Sequence, residues 1–143
     1  MKKIGIIGQG YVGSAIKEGF KGYYTLDTYD KFDESKTTSN VKHIAVTSDV
    51  IFVCVPTPME KDGSCHIGIV ESVIEEINSH ITDEQPVIVI KSTIPPGTTQ
   101  RLNQKFENLI IIFNPEFLTE ANFLDDFKNQ KRIILGGDRR GTN

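Results

Sequence analysis

The sequence predicts an open, doubly wound α/β fold with a mostly parallel sheet. Two observations carry this. Apolar runs of strand length recur along the 143 residues, at 3–8, 23–30, 50–55, 86–90, 109–113 and 132–135. Several of them, such as VIFVCV, PVIVI and LIIIF, are β-branched and nearly unbroken rather than alternating, the pattern of strands buried on both faces. Stretches of helical spacing lie between many of the runs, and such alternation builds a parallel sheet with crossover helices.

The elements follow in chain order. KIGIIG at 3–8 is the first strand, and Val12, Ala15, Ile16 and Phe20 mark one face of the helix after it. YYTLDTYD at 23–30 is the second strand. Residues 31–49 are polar and poorly periodic and read as a loop or a short turn of helix. VIFVCV at 50–55 is the third strand. Ile67, Val70, Val73, Ile74 and Ile77 then give a helix at the i, i+3, i+4, i+7 spacing. PVIVI at 86–90 is a fourth strand. Leu102 and Phe106 mark a third helix, starting after Gly97 with Thr98 as its cap. LIIIF at 109–113 and RIIL at 132–135 complete the sheet. The chain reads as one domain, 1–143, with no repeat, low-complexity tract or linker.

Composition bounds the function. A formal charge of −3 argues against a general nucleic-acid binder, which carries a basic face. The longest apolar runs fall far short of a membrane span. The start, MKKIGIIGQG, lacks the longer apolar region of a signal peptide. Cys54 and Cys65 make neither a disulfide framework nor a metal-ligand pattern, so no metal is expected. A cytoplasmic location follows as the expectation.

In sheets of this kind ligands sit outside the carboxyl ends of the strands. The loops there are GQGYVG, DKFD, PTPMEKDGS, KSTIPPGT and NPEFLTE. Gly8-Gln9-Gly10-Tyr11-Val12-Gly13 is a G-x-G-x-x-G string after a strand and before an amphipathic helix. Gly8 allows the sharp turn, Gly10 lets backbone amides approach a pyrophosphate, and Gly13 lets helix and strand pack closely. The second strand ends at Asp30, whose carboxylate suits ribose hydroxyls and repels a 2′-phosphate. The string and Asp30 together predict a dinucleotide seat for NAD rather than NADP; Lys31 beside Asp30 opposes that preference.

The remaining loops resemble one family, the UDP-glucose/GDP-mannose dehydrogenases, in their N-terminal NAD-binding, Rossmann-type domain. The matching pieces are VCVPTP at 53–58, DGS at 62–64, KSTIPPGT at 91–98, NPEFLTE at 114–120 and DF…RIILGG at 126–137, in family order. The resemblance implies NAD-dependent oxidation of a nucleotide sugar's C6 alcohol to a carboxylate, in two hydride transfers. In the family a cysteine thiolate captures the intermediate aldehyde, and the resulting thioester is hydrolysed. UDP-glucose is the foremost expected substrate; other UDP-sugars and GDP-mannose stay open.

On the resemblance, Gly8, Gly10, Tyr11, Val12, Gly13, Asp30, Lys31, Pro56, Thr57, Ser92, Thr93 and Glu120 are expected to hold the cofactor. Thr93, Glu116 and Glu120 are the expected catalytic residues: a hydroxyl that positions water or the reacting oxygen, and two carboxylates. Were 115–120 helical, Glu116 and Glu120 would share one face. The backbone at Phe117 and Leu118 is expected against the sugar nucleotide beside Glu116, with their side chains in core packing. Lys91 stays open between a role at the site and an ordinary exposed strand-end residue. Cys54 reads as inert packing, and the Cys65–His66 neighbours as unpaired with each other.

The chain departs from the family pattern at Thr119 and Ala121, where arginine and glycine are frequent. The family's central and C-terminal domains, with the nucleophilic cysteine, are expected to be absent from this chain. The fold is therefore read as C-terminally truncated, with apolar surface left uncovered at that end and a separate chain as a candidate partner. The alternative function is an NAD- or nucleotide-sugar-binding module without turnover.

Overall fold

The computed structural model describes residues 1–83 and 85–142. Six strands form one sheet: β1 Lys3–Ile7, β2 Thr25–Tyr29, β3 Val50–Val53, β4 Val87–Ile90, β5 Ile110–Phe113 and β6 Gly136–Gly137. Their spatial order is β2-β1-β3-β4-β5-β6. The first five strands pair in parallel, and β6 runs antiparallel to β5. The chain reverses its direction of winding between β1 and β3, so a topological switch point opens at their carboxyl ends.

Helices cover the two faces unequally. Helices α2 Val41–Thr47, α3 Gly68–His80 and α4 Thr98–Lys105 pack on one face. They build the larger core with Ile7, Ile51, Val53, Ile88, Ile90 and Ile111 of the sheet. Ile44, Ile74, Ile77 and Leu102 are fully buried there, each contributing about 1.5–3 kcal/mol of apolar burial. On the other face α1 Tyr11–Phe20 packs over Ile4 and Ile6 of β1, joined by α5 Phe123–Asn129 through Phe127. The rings of Phe20 and Phe127 stand 5.8 Å apart, edge to face. A short helix, α6 Arg139–Thr142, follows β6.

Four expectations need correction. Residues 41–47 are a full helix, capped by Asn40, whose side chain accepts from the His43 N–H at 2.8 Å. Its periodicity rests on Val41, Ile44 and Ala45 alone, too few to stand out in a polar segment. The segment 132–135 is not a strand. The Asn114 side chain donates to the Ile134 carbonyl at 2.8 Å, and pairing begins only at Gly136. Gly137, at φ 147°, passes so close to β5 that a Cβ would sit 3.1 Å from the Ile112 side chain. Thr98 is the first helical residue, buried, while Gly97 at φ 86° is the cap. Residues 114–119 form no helix, so Glu116 and Glu120 share no helix face.

At the end of the sheet beside β6, Asn103 of α4 stands in for a neighbouring strand. Its side chain donates to the Ile111 carbonyl at 2.8 Å and accepts from the Ile111 N–H at 3.0 Å. Replacing it leaves two backbone groups of β5 without these partners. Asn103→Ala is expected to lower unfolding free energy by about 1–3 kcal/mol, read from urea denaturation. An unchanged midpoint would contradict the clamp.

Candidate functional site

The site is built on the turn from β1 into α1. Gly8 sits at φ 93°, and a Cβ there would lie 2.5 Å from the Cys54 carbonyl oxygen. A Cβ on Gly13 would overlap the Gly8 carbonyl oxygen. Both positions therefore need glycine, one for backbone angle and space, the other for space alone. Gly10 differs: a Cβ there meets nothing within 4 Å, and its φ of −66° suits any residue. The open space beside Gly10 is where a pyrophosphate would approach. Helix α1 starts at that point with no side-chain cap and no acidic residue in its first turn. Its first amides and positive dipole end face an anion.

Asp30 follows β2 and is tied to the same turn. Its carboxylate accepts from the Gln9 N–H at 2.8 Å and from the Phe32 N–H at 2.9 Å. The carboxylate is thereby fixed beside the glycine loop, with lone pairs left for ribose hydroxyls. Lys36, on a short 3-10 turn at Glu34–Lys36, reaches the Gln9 carbonyl at 3.4 Å. It is a cation at the seat that the polar segment concealed. Lys31 instead lies 5.8 Å over the Phe32 ring.

Two cavities lie along the carboxyl edge of the sheet. One, about 290 Å³, is lined by Gly8, Asp30, Lys31 and Pro56 among others. The second, about 260 Å³, is lined by Gly10, Tyr11, Val12, Pro56, Thr57, Ser92, Thr93 and Glu116, with Cys54 and Lys91. Val55 and Pro56 line both, so the two adjoin at the loop after β3. A larger cavity of about 710 Å³ beside Pro95–Gly97 holds none of the expected site residues. Shape and chemistry, rather than volume, mark the candidate site.

The individual residues divide as follows. The Ser92 hydroxyl donates to the Val55 carbonyl at 2.6 Å, bracing the loop after β3. Thr93 is exposed at the cavity mouth. Glu116 accepts from the Leu118 N–H at 3.2 Å. Its charge, then burial, then Glu120, hold the Tyr11 hydroxyl above its ordinary pKa and so protonated. Glu120 lies on an exposed turn and acts on the cavity through its charge. Phe117 is 65% exposed, which corrects the expected core packing: the non-helical 114–119 segment leaves it outside the core. The Thr119 N–H and hydroxyl both donate to Asp126 of α5, at 2.8 and 2.6 Å, latching this segment.

Lys91 is the residue the sequence misrepresents. It is 5% exposed, and its ammonium donates to Asn114 at 3.0 Å. The side chain lies on the sheet face of Val87 and Val89, the one that α1 and α5 share. Burial lowers its pKa, opposed by Cys54 and Glu116. Burial also pushes the Cys54 thiol up to about 12, with Lys91 opposing and Glu116 reinforcing. Cys54 is therefore a neutral packing group, as the sequence implied. The Cys65 thiol donates to the Thr93 carbonyl at 3.4 Å, while His66 pairs with Glu60. Among the described residues there is no cluster of metal-ligating side chains and no helix long and apolar enough to cross a membrane.

A parallel sheet with a glycine turn, an acidic second strand end and a cleft at the switch point defines a dinucleotide-binding domain. Residues 26–143 match the UDP-glucose/GDP-mannose dehydrogenase family, NAD binding domain, and the chain belongs to that family. It is 33% identical to the UDP-glucose 6-dehydrogenase of Rickettsia bellii, over 71% of this chain and 24% of that protein. It is 29% identical to the UDP-glucose 6-dehydrogenase TuaD of Bacillus subtilis, over 95% of this chain and 37% of that one. The solved UDP-glucose dehydrogenase from Pyrobaculum islandicum superposes with a TM-score of 0.83 at 24% identity. That superposition covers 99% of this chain and 42% of the other. The chain thus spans well under half the length of the proteins it matches.

Two predictions come from this geometry. Gly10→Ala is expected to leave the melting temperature unchanged and to abolish saturable NAD binding, because the methyl fills ligand space only. Gly13→Ala is expected to lower the melting temperature as well; equal effects of the two would contradict the assignment. Lys91→Met should raise stability at neutral pH by removing a buried charge. The folded-state pKa of Lys91 lies below its unfolded value, so the unfolded chain binds more protons between the two. Wild-type stability therefore rises with pH through that window, and the Met variant's advantage shrinks as pH climbs to the ordinary lysine range. Thermal melts of both proteins against pH read this directly.

Proposed function

We propose that this chain supplies the cofactor half of an active site that oxidises the C6 alcohol of a nucleotide sugar to a carboxylate. The substrate class is a UDP-sugar, UDP-glucose foremost, and the oxidation proceeds in two hydride transfers. The observation that carries this reading is the single cavity shared by the glycine loop, Thr93 and Glu116. NAD, when bound, accepts the hydride from the alcohol carbon.

The chain's own residues divide the remaining work. Gly8, Gly10 and Gly13, with the Tyr11 and Val12 amides, receive the pyrophosphate, and Asp30 the ribose hydroxyls. Pro56, Thr57 and Ser92 shape the wall between the two cavities. The Thr93 hydroxyl both donates and accepts, and orients the reacting oxygen or a water. Glu116 takes the proton from that oxygen or water, while Glu120 tunes the charge of the site from its rim. The backbone at Phe117 and Leu118 meets the sugar nucleotide beside Glu116. The NAD-binding domain comprises 1–143, and the substrate domains belong to a longer or a second chain.

A specific observation also supports a second reading, a binding module without turnover. The second oxidation in this chemistry needs a reactive thiolate. Cys54 is held protonated by burial, and Cys65 is engaged with the Thr93 carbonyl. Without that thiolate and without the substrate domains proposed to lie elsewhere, this chain alone is expected to bind NAD and to turn over no UDP-glucose.

The experiment is a paired measurement on the chain: NAD binding by titration, and NADH formation from UDP-glucose at saturating NAD. Saturable binding without NADH is the expected result, with binding weakened about tenfold or more in Asp30→Ala. Absence of binding at millimolar NAD would overturn both readings, and turnover would overturn the requirement for an added thiolate.

A further inference from the structure

The 290 Å³ cavity carries more information than a ribose site needs. Its walls include Ile7, Tyr29, Val41, Val55 and Pro56, an apolar lining of the kind that takes an aromatic base. Helix α3 closes it with Ile69, Ser72, Val73 and Glu76, at i, i+3, i+4 and i+7. This stripe differs from the core stripe of α3, which is Val70, Ile74 and Ile77. Two residues flanking the slot, Ile69 at 36% and Phe32 at 86%, are exposed apolar side chains that the core does not use. A base in the slot would cover both.

The polar groups of the stripe are placed for a base edge. No side-chain hydrogen bond or ion pair engages the Glu76 carboxylate among the described residues. Ser72 also lines the cavity, and its hydroxyl donates to the Ile69 carbonyl at 3.1 Å, which leaves its oxygen lone pairs to accept. An ionised carboxylate accepts hydrogen bonds and donates none. Of the purines, adenine presents an exocyclic amine as donor, whereas hypoxanthine presents a carbonyl oxygen at the same place. We propose that Glu76 is a specificity-determining residue that reads the adenine amine of the bound dinucleotide and disfavours a 6-oxo group in the same position. This rests on the dinucleotide lying along the seat described above, with its ribose at Asp30.

The test compares NAD with nicotinamide hypoxanthine dinucleotide, titrated into the wild-type chain, Glu76→Ala and Glu76→Gln. The wild type is expected to prefer NAD by about tenfold or more, the discrimination typical of one well-placed base contact. Glu76→Ala, an exposed helical position changed to the strongest helix former, is expected to fold normally and to bind the two about equally. Glu76→Gln offers both a donor and an acceptor, so it should bind the hypoxanthine form more tightly than the wild type does. Equal binding of both dinucleotides by the wild type overturns the inference, as does an undiminished preference in Glu76→Ala. A wild-type chain that binds neither dinucleotide overturns the seat itself.

Discussion

Helix α1 meets the turn before it backbone to backbone, and the rest of the site depends on that contact. Gly13 lies against the Gly8 carbonyl, and Gly8 lies against the Cys54 carbonyl. Any side chain at Gly8 or Gly13 forces the helix away from the sheet. With both glycines in place, the first turn of α1 opens at the same level as the loops after β3, β4 and β5. The Gln9 N–H then reaches Asp30, which draws the end of β2 into the same edge. The Cys54 N–H donates to the Ile7 carbonyl at 2.8 Å, which fixes the loop after β3 from the other side. The ends of β1, β2 and β3 are thereby registered on one turn, and the two cavities adjoin at the loop after β3.

The two faces of the sheet set different tasks for the sequence. The face under α2, α3 and α4 is a closed apolar core. The face under α1 and α5 is open over β3, β4 and β5. An apolar cavity of about 390 Å³ there is lined by Phe52, Val89, Ile112, Phe127, Ile133 and Leu135, among others. Ile133 is 72% exposed, so the tail borders this cavity without sealing it. Ile134 and Leu135 are exposed beside it. Lys91 lines both this cavity and the one holding Thr93 and Glu116, and its ammonium donates to Asn114 between them.

Much of this was legible in the residues. The strands β3, β4 and β5 came from nearly unbroken apolar runs, because a parallel sheet covered on both faces leaves no polar alternation to confuse with loops. The glycine string and Asp30 were readable because each position has one steric or charge requirement. Thr93, Glu116 and the loop prolines were readable as family motifs. What stayed hidden depends on distant contacts. Helix α2 has three buried residues in a polar segment. The stretch 132–135 looks like a strand, but the Asn114 side chain takes its backbone instead. Lys91 looks solvated because its burial comes from neighbours on β3 and β5. Glu76 looks like one more charge on a helix surface until the slot beside it is seen.

The central claim is that a pyrophosphate sits on the open first turn of α1. Backbone amide NMR during an NAD titration tests it most directly. Large, saturable shifts are predicted at Gly10, Tyr11, Val12 and Gly13, and at Asp30, with the α4–β5 clamp at Asn103 and Ile111 unmoved. Shifts centred instead on the cavity beside Pro95–Gly97, with the glycine turn silent, would contradict the account.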